Sequence, residues 1–188
     1  MRQRNWRRSS RRLGTAWVGG WARVGGSARV GDSARVSGSA RVGGSAQVGD
    51  SARVGGSARV GGSAQVGDSA WVGDSALVDG SARVSGSARV GGSAQVDGDG
   101  RIMQTSDYLC LGPAISSGRF TTAHRDTEIG IRVNCGCFSG SLPEFRRQIA
   151  KTHPKDTPAR MQYDLFADVI DAHFALIDWC DDDKIERA

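Results

Sequence analysis

From Val18 to Val96 every sixth residue is valine, and from Ala16 to Ala94 every sixth residue is alanine, fourteen of each without a break in register. Six is an even period, so on an extended chain each Val and the Ala two positions before it point to one side. The residue between them, usually Arg or Gln as in "SARVGGSAQV", points to the other. The pattern therefore predicts short strands with Val and Ala inward and Arg outward. The residue after each Val is Gly, Ser or Asp, and the next is always Gly or Asp. These are the residue types that accept turns and positive φ. Each hexapeptide reads as a strand plus a corner, and none can bury its apolar side alone. Stacking has to do so, which is the logic of a solenoid.

After residue 102 the period changes. Ile129, Ile131, Val133, Cys135 and Cys137 alternate with Gly130, Arg132, Asn134 and Gly136, the pattern of a half-buried strand. With strand-like stretches at Tyr108–Leu111 and Arg119–Ala123, this predicts a small antiparallel sheet. Ser141-Leu142-Pro143-Glu144 spells a capping box, opening a helix that should run to about Thr152. A second helix should follow Thr157-Pro158, with Met161, Leu165, Phe166, Val169, Ile170, Phe174 and Ile177 on one apolar stripe. The expected organisation is an Arg-rich arm (1–13), a repeat region (14–102) and a small α+β carboxyl-terminal cap with two helices (103–188). The cap would close a prism end that otherwise leaves strand edges unpaired.

Charge divides along the same boundary. The chain carries +5 overall, with a balance of +8 up to Ile102 and −3 beyond it. A basic front and an acidic back point to an acidic partner or to contact between copies. Only 3 of the 25 basic residues are Lys. Arg, Gly, Ala and Val share GC-rich codons, so coding composition is a competing explanation for the arginines.

Four Cys, none of them in the repeats, do not make a secreted disulfide framework, and they read as reduced thiols. The basic start lacks the apolar run of a signal peptide, even with the twin Arg11-Arg12, and no stretch is long and apolar enough for a membrane span. A soluble, cytoplasmic protein is expected.

The repeats resemble the hexapeptide-repeat left-handed parallel β-helix, the fold of an acyltransferase superfamily. The run "YLCLGPAISSGRFTTAHR", then "GCFSGSLPEF", then a His after the helix, is similar to the tail of hexapeptide-repeat proteins of bacteriophages and prophages. The likeness covers about residues 14 to 180. It implies a mainly β, left-handed triangular prism, an exception to the right-handed crossover rule. With three hexapeptides per coil, fourteen repeats make about 4.7 coils, roughly 22 Å tall. It further implies a phage setting in the host cytoplasm, self-association as a trimer or dimer, and a role in handling host machinery or a host defence component. No activity carries over residue by residue.

A coil of eighteen residues sorts the outward positions into three columns. They are Trp17, Arg35, Arg53, Trp71, Arg89; Arg23, Arg41, Arg59, Leu77, Gln95; and Arg29, Gln47, Gln65, Arg83, Arg101. Such basic columns, broken by tryptophan, can track a phosphate backbone without reading sequence, or can stand as a solvated face. Neighbouring Arg would repel by only about 1 kcal/mol in water, so the fold tolerates them without a partner. The arm adds Arg2, Arg4, Arg7, Arg8, Arg11 and Arg12 beside Trp6, a candidate for nucleic acid or for an acidic surface such as Asp181–Asp183 of another copy.

Candidate binding residues are thus the six arm arginines, Arg23, Arg41, Arg59, Arg35, Arg53 and Trp71. Asp32, Asp50 and Asp68 also fall eighteen apart and could stack around a cation, or hold corners that Gly holds elsewhere. Hexapeptide-repeat acyltransferases use a catalytic His between coils, and carbonic anhydrases of this fold hold zinc with His. Here no His precedes His124 and no Cys precedes Cys110. Cys135 and Cys137 are expected to be buried structural thiols, and His153 and His173 a helix-end and a packed histidine. No catalytic, cofactor or metal residue is assigned. The expectation is a non-enzymatic binding protein, probed against three alternatives: nucleic-acid binding, an acyltransferase-like enzyme and a structural assembly part.

Overall fold

The structure, a computed structural model, describes Arg11–Arg12 and residues 14–186, with side chains described over 14–178. Sixteen two-residue strands, β1 (Arg11–Arg12) to β16 (Arg101–Ile102), form the amino-terminal part. From β2 (Trp17–Val18) to β15 (Gln95–Val96) one strand recurs every six residues, and each pairs in parallel with the strand eighteen residues away. Three sheets of five, five and six strands result, a parallel β-solenoid of about five coils. Val and Ala from Ala16 to Val96 stack inside with Ile102 as one buried core. Arg11–Arg12, expected in the arm, pair with Arg29–Val30 and add a sixth strand to the third sheet.

The corners explain the invariant Gly or Asp. Each residue two after a Val, from Gly20 to Gly98, has positive φ. At Gly44 (φ 59°) an added Cβ would stand 2.7 Å from the Gly62 carbonyl oxygen, so glycine is needed for both conformation and space. Asp32, Asp50, Asp68 and Asp74 adopt the same conformation at φ 51–53°. Each carboxylate accepts a backbone N–H from the coil above: Asp50 to Asp32 at 3.3 Å, Asp68 to Asp50 at 2.9 Å, Gly86 to Asp68 at 2.8 Å and Gly92 to Asp74 at 2.9 Å. The stacked carboxylates are ties between coils.

Backbone bonds between coils run along the prism axis: Trp17 N–H donates to Ala34 O, Arg35 N–H to Ala52 O and Arg53 N–H to Ala70 O, each at 2.9 Å. The last coil has no coil above it to pair its edge, so N–H groups such as those of Gln95, Asp97 and Asp99, and the Gln95 carbonyl, need partners, and the cap supplies them. The cap is an antiparallel sheet of β17 (Tyr108–Leu111), β18 (Thr121–Asp126), β19 (Gly130–Cys135) and β20 (Phe138–Ser141), with α1 (Leu142–Thr152) and α2 (Pro158–Glu186) packed on it. Strand β18 lies over the prism end with alternate side chains downward. Thr122 Oγ1 accepts Gln95 N–H (3.0 Å), His124 Nε2 accepts Asp97 N–H (3.4 Å) and Asp126 Oδ2 accepts Asp99 N–H (3.2 Å). Thr105 Oγ1 and Tyr108 Oη do the same for Arg89 and Gly91.

This docking changes several expectations. The central strand begins at Thr121 rather than Arg119. The polar side of β19 is not solvated: Asn134 is buried and donates to Gln95 O (3.1 Å) and Asp97 Oδ1 (2.9 Å), while Arg132 Nε donates to Asp126 Oδ2 (2.6 Å). Cys135 is buried, but Cys137 is exposed in the tight β19–β20 turn that follows Gly136 at φ 64°. Helix α1 begins at the expected box, with Ser141 N–H and Oγ both donating to the Glu144 carboxylate at 2.9 and 2.8 Å. Helix α2 buries only part of the expected stripe. Ile170 and Phe174 face the core together with Tyr163 and Ala167, and Phe166 and Ile177 pack against them, whereas Met161 and Leu165 are 67 and 60 % exposed and Val169 is exposed as well. Among the described residues no helix is long and apolar enough to cross a membrane.

Candidate anion-binding faces

The outward columns stand in the register that the eighteen-residue coil requires. On the first face Trp17, Arg35, Arg53, Trp71 and Arg89 are successive partners. On the second, Arg23, Arg41, Arg59, Leu77 and Gln95 are. The third carries Arg29, Gln47, Gln65, Arg83 and Arg101, with Arg11 in register below Arg29. Neighbours in a column are separated by the strand spacing, about 4.8 Å. Candidate residues Arg23, Arg41 and Arg59 are thus brought together on one face, and Arg35, Arg53 and Trp71 on the next. Arg2, Arg4, Arg7 and Arg8 lie outside the described residues, as does Trp6; for Arg11 and Arg12 only the backbone is described.

Local chemistry distinguishes the faces. Among the described residues no outward prism arginine from Arg23 to Arg101 makes an ion pair, whereas cap arginines Arg125, Arg132, Arg146, Arg147 and Arg160 all do. The second face has glycine at both flanking corners through three coils, Gly20, Gly38 and Gly56 on one side and Gly26, Gly44 and Gly62 on the other. No acidic residue occupies those corners, and the one carboxylate that reaches them, that of Asp79, lies over Gly61 and Gly62 at the Arg59 end. The third face differs: a groove of about 440 Å³ along Arg29, Gln47, Gln65 and Arg83 also takes in Asp32, Asp50 and Asp68. Its charge is mixed.

Aromatic surface belongs to the first face. Trp17 is 51 % exposed, and Trp21, at the corner beside it, 74 %. The Trp17 indole fills the space over Gly19, and the Trp71 indole that over Gly73 while reaching Gly91, so both rings lie along the sheet. A groove of about 510 Å³ is lined by Thr15, Trp17, Ser33 and Arg35, bringing hydroxyls, an indole and a guanidinium together. Sequence reasoning placed Trp17 in its column without selecting it, and passed over Trp21, Thr15 and Ser33. The available signal was departure from the repeat: Trp17 stands where most coils carry Arg or Gln, and Trp21 where nearly all carry Ser.

The histidines have structural surroundings. His124 is fully buried; its Nδ1 lies 3.0 Å from the Arg125 carbonyl, which places the proton there and leaves Nε2 to accept Asp97 N–H. His153 ends α1 and stacks on Tyr163 at 5.1 Å, and His173 Nε2 donates to Ser106 O at 2.8 Å. With Nε2 of His124 accepting, the bond from Asn134 and the nearby Arg132 guanidinium, opposed by burial, hold the Asp97 carboxyl below its ordinary range. Burial alone would raise Asp126, but its bonds from Arg132, Glu128 and Ile129 outweigh that and lower it. Burial pushes the Cys110 thiol up. Among the described residues no group of three or more His, Cys, Asp or Glu side chains is placed to hold a metal ion. Comparison with protein-family models, curated proteins and solved structures returns no match for the chain.

Proposed function

We propose that the protein works by binding rather than by catalysis, and that its partner is an acidic macromolecule held on the arginine columns of the prism. The observation that carries this reading is the contrast in ion pairing: among the described residues five of the six cap arginines, all but Arg119, meet carboxylates, while the prism arginines stack in register with none. A polyanion would relieve the repulsion along each column, about 1 kcal/mol per neighbouring pair in water. The second face, with three consecutive arginines between glycine corners, is its strongest part. Within the cap Asp164, Asp168, Asp171 and Asp178 already face arginines. That favours an external partner over these four carboxylates of another copy; the side chains of Asp181–Asp183 lie outside the described residues. The finer reading, a left-handed prophage-type protein that self-associates in a host cytoplasm and engages host machinery, belongs to the same proposal and rests on the sequence resemblance alone.

The test is binding of heparin, an acidic polymer without bases, across a salt series. Binding should weaken steeply with salt, because each phosphate- or sulfate-bound arginine releases condensed counterions. Changing Arg23, Arg41 and Arg59 together to Gln, a residue that the same column carries at Gln95 and the third at Gln47 and Gln65, keeps the fold and should lower the salt slope by about 2 to 3. Absence of binding at low salt would end the proposal.

A further inference from the structure

We propose that the first face of the prism is a binding site for single-stranded nucleic acid, with bases stacked on the Trp17 and Trp71 indoles and phosphates on Arg35 and Arg53 between them. This rests on the polyanion reading above and adds a ligand class to it. Simple attraction to a polyanion needs only cations, and the second face has the better set. The first face alone adds aromatic surface in line with its arginines.

The geometry selects single strands. Trp17 and Trp71 lie on one column three coils apart, about 14 Å, with Arg35 and Arg53 on the two coils between. Both indoles lie along the sheet, over Gly19 and over Gly73, and so offer a ring face rather than an edge. A base can reach such a face only when it is out of a duplex stack. Two bases about 14 Å apart are also much farther than the 3.4 Å of stacked neighbours, so the intervening chain is extended, with its phosphates over the guanidinium pair. At the lower end, the groove lined by Trp17, Arg35, Ser33 and Thr15 holds the partners of one nucleotide: a stacking plane, a cation and two hydroxyls. Asp74, whose carboxylate accepts Gly92 N–H at 2.9 Å, stands beside Trp71. The phosphates therefore sit below Trp71, on Arg53 and Arg35.

The repeat itself supplies substitutions that keep the fold, because Gln occupies the same outward position in three other coils. The experiment measures binding of labelled oligothymidylate to the full chain by fluorescence anisotropy, with heparin and a DNA duplex as parallel probes. Trp17→Gln and Trp71→Gln should each weaken oligothymidylate binding by about ten-fold or more and leave heparin binding unchanged. The double change Arg35→Gln with Arg53→Gln should weaken both. Unchanged oligothymidylate affinity in both Trp variants, or duplex binding as tight as single-strand binding, overturns this proposal while heparin binding keeps the polyanion reading intact. Failure of both heparin and oligothymidylate to bind at low salt overturns the two together.

Discussion

Replacing Asp126 with Asn should uncap the prism. The Asp126 carboxylate is where the last coil and the cap converge: Oδ2 accepts Asp99 N–H (3.2 Å) and Arg132 Nε (2.6 Å), and Oδ1 accepts Glu128 and Ile129 N–H (2.9 and 3.1 Å). Asn keeps the shape but has one acceptor oxygen. If that oxygen serves the Glu128–Ile129 turn, the amide NH2 confronts two donors. One ordinary hydrogen bond (about 1 kcal/mol) and one to a charged group (about 2 kcal/mol) are lost, near 3 kcal/mol together. Arg132, whose side chain is only 15 % exposed, keeps Glu128 at 3.7 Å as its remaining carboxylate. Because each coil contacts only its neighbours, the loss should concentrate at the capped end. Amide hydrogen exchange at Gln95, Asp97 and Asp99 should speed up by roughly 100-fold, at ten-fold per 1.4 kcal/mol, while Arg35 and Arg53 amides keep most of their protection. Acidification of the wild type should act the same way. Asp97 and Asp126 both have lowered folded values, so their contribution is full above the ordinary carboxylate range, about pH 4, and is lost as the pH falls toward those values. The Asn variant should respond less to acid. Unchanged exchange at Asp97 and Asp99, or acceleration spread evenly over the prism, would refute the capping account.

Corner chemistry makes a second prediction. Gly44→Ala should lower stability in urea by about 2 kcal/mol, through φ 59° and the crowding against Gly62 O. Asp50→Gly should change it by less than about 1 kcal/mol, because losing the bond from Asp68 N–H is offset by relief at φ 52°. The orientation of α2 makes a third. Ile170→Ala should cost about 2–5 kcal/mol by leaving a cavity, while Leu165→Gln, on the exposed side, should stay within about 0.5 kcal/mol in the same assay.

The prism was legible because one short period determines everything inside it. A Val or Ala out of phase by one residue would point to solvent, so fourteen unbroken repeats leave a single arrangement. The corner residues were legible for the same reason, as positive φ admits few side chains, and the Ser141–Glu144 box is a local device complete within four residues. The cap was harder because its polar side answers a distant need. Thr122, His124 and Asp126 alternate along β18 and each lies 27 residues after the donor it satisfies, a match that means nothing until the prism is known to end with those N–H groups unpaired. Strand β20 escaped because Phe138-Ser-Gly-Ser has little strand character and is held by pairing with β19. Helix α2 carries apolar residues around more than one face, and the stripe seen in sequence mixed the buried set with the exposed one.

The candidate site was legible to a different degree, and the reason lies in the repeat. Inward positions are constrained by every coil, so their regularity reports the fold and little else. Outward positions bear no such constraint, and Arg there satisfies the fold no better than Gln47, Leu77 or Trp71 does in the same columns. Regular arginine is therefore compatible with function and with coding composition alike. What the fold does not ask for is a large aromatic ring laid over glycine in an outward column, and this occurs at Trp17, which is half exposed, and at Trp71, which is half-buried, both on the first face. Exposing such apolar surface costs solubility. In a solenoid this regular, departures from the repeat carry more functional information than the repeat itself, and the two that share one arginine column are where binding should be sought first.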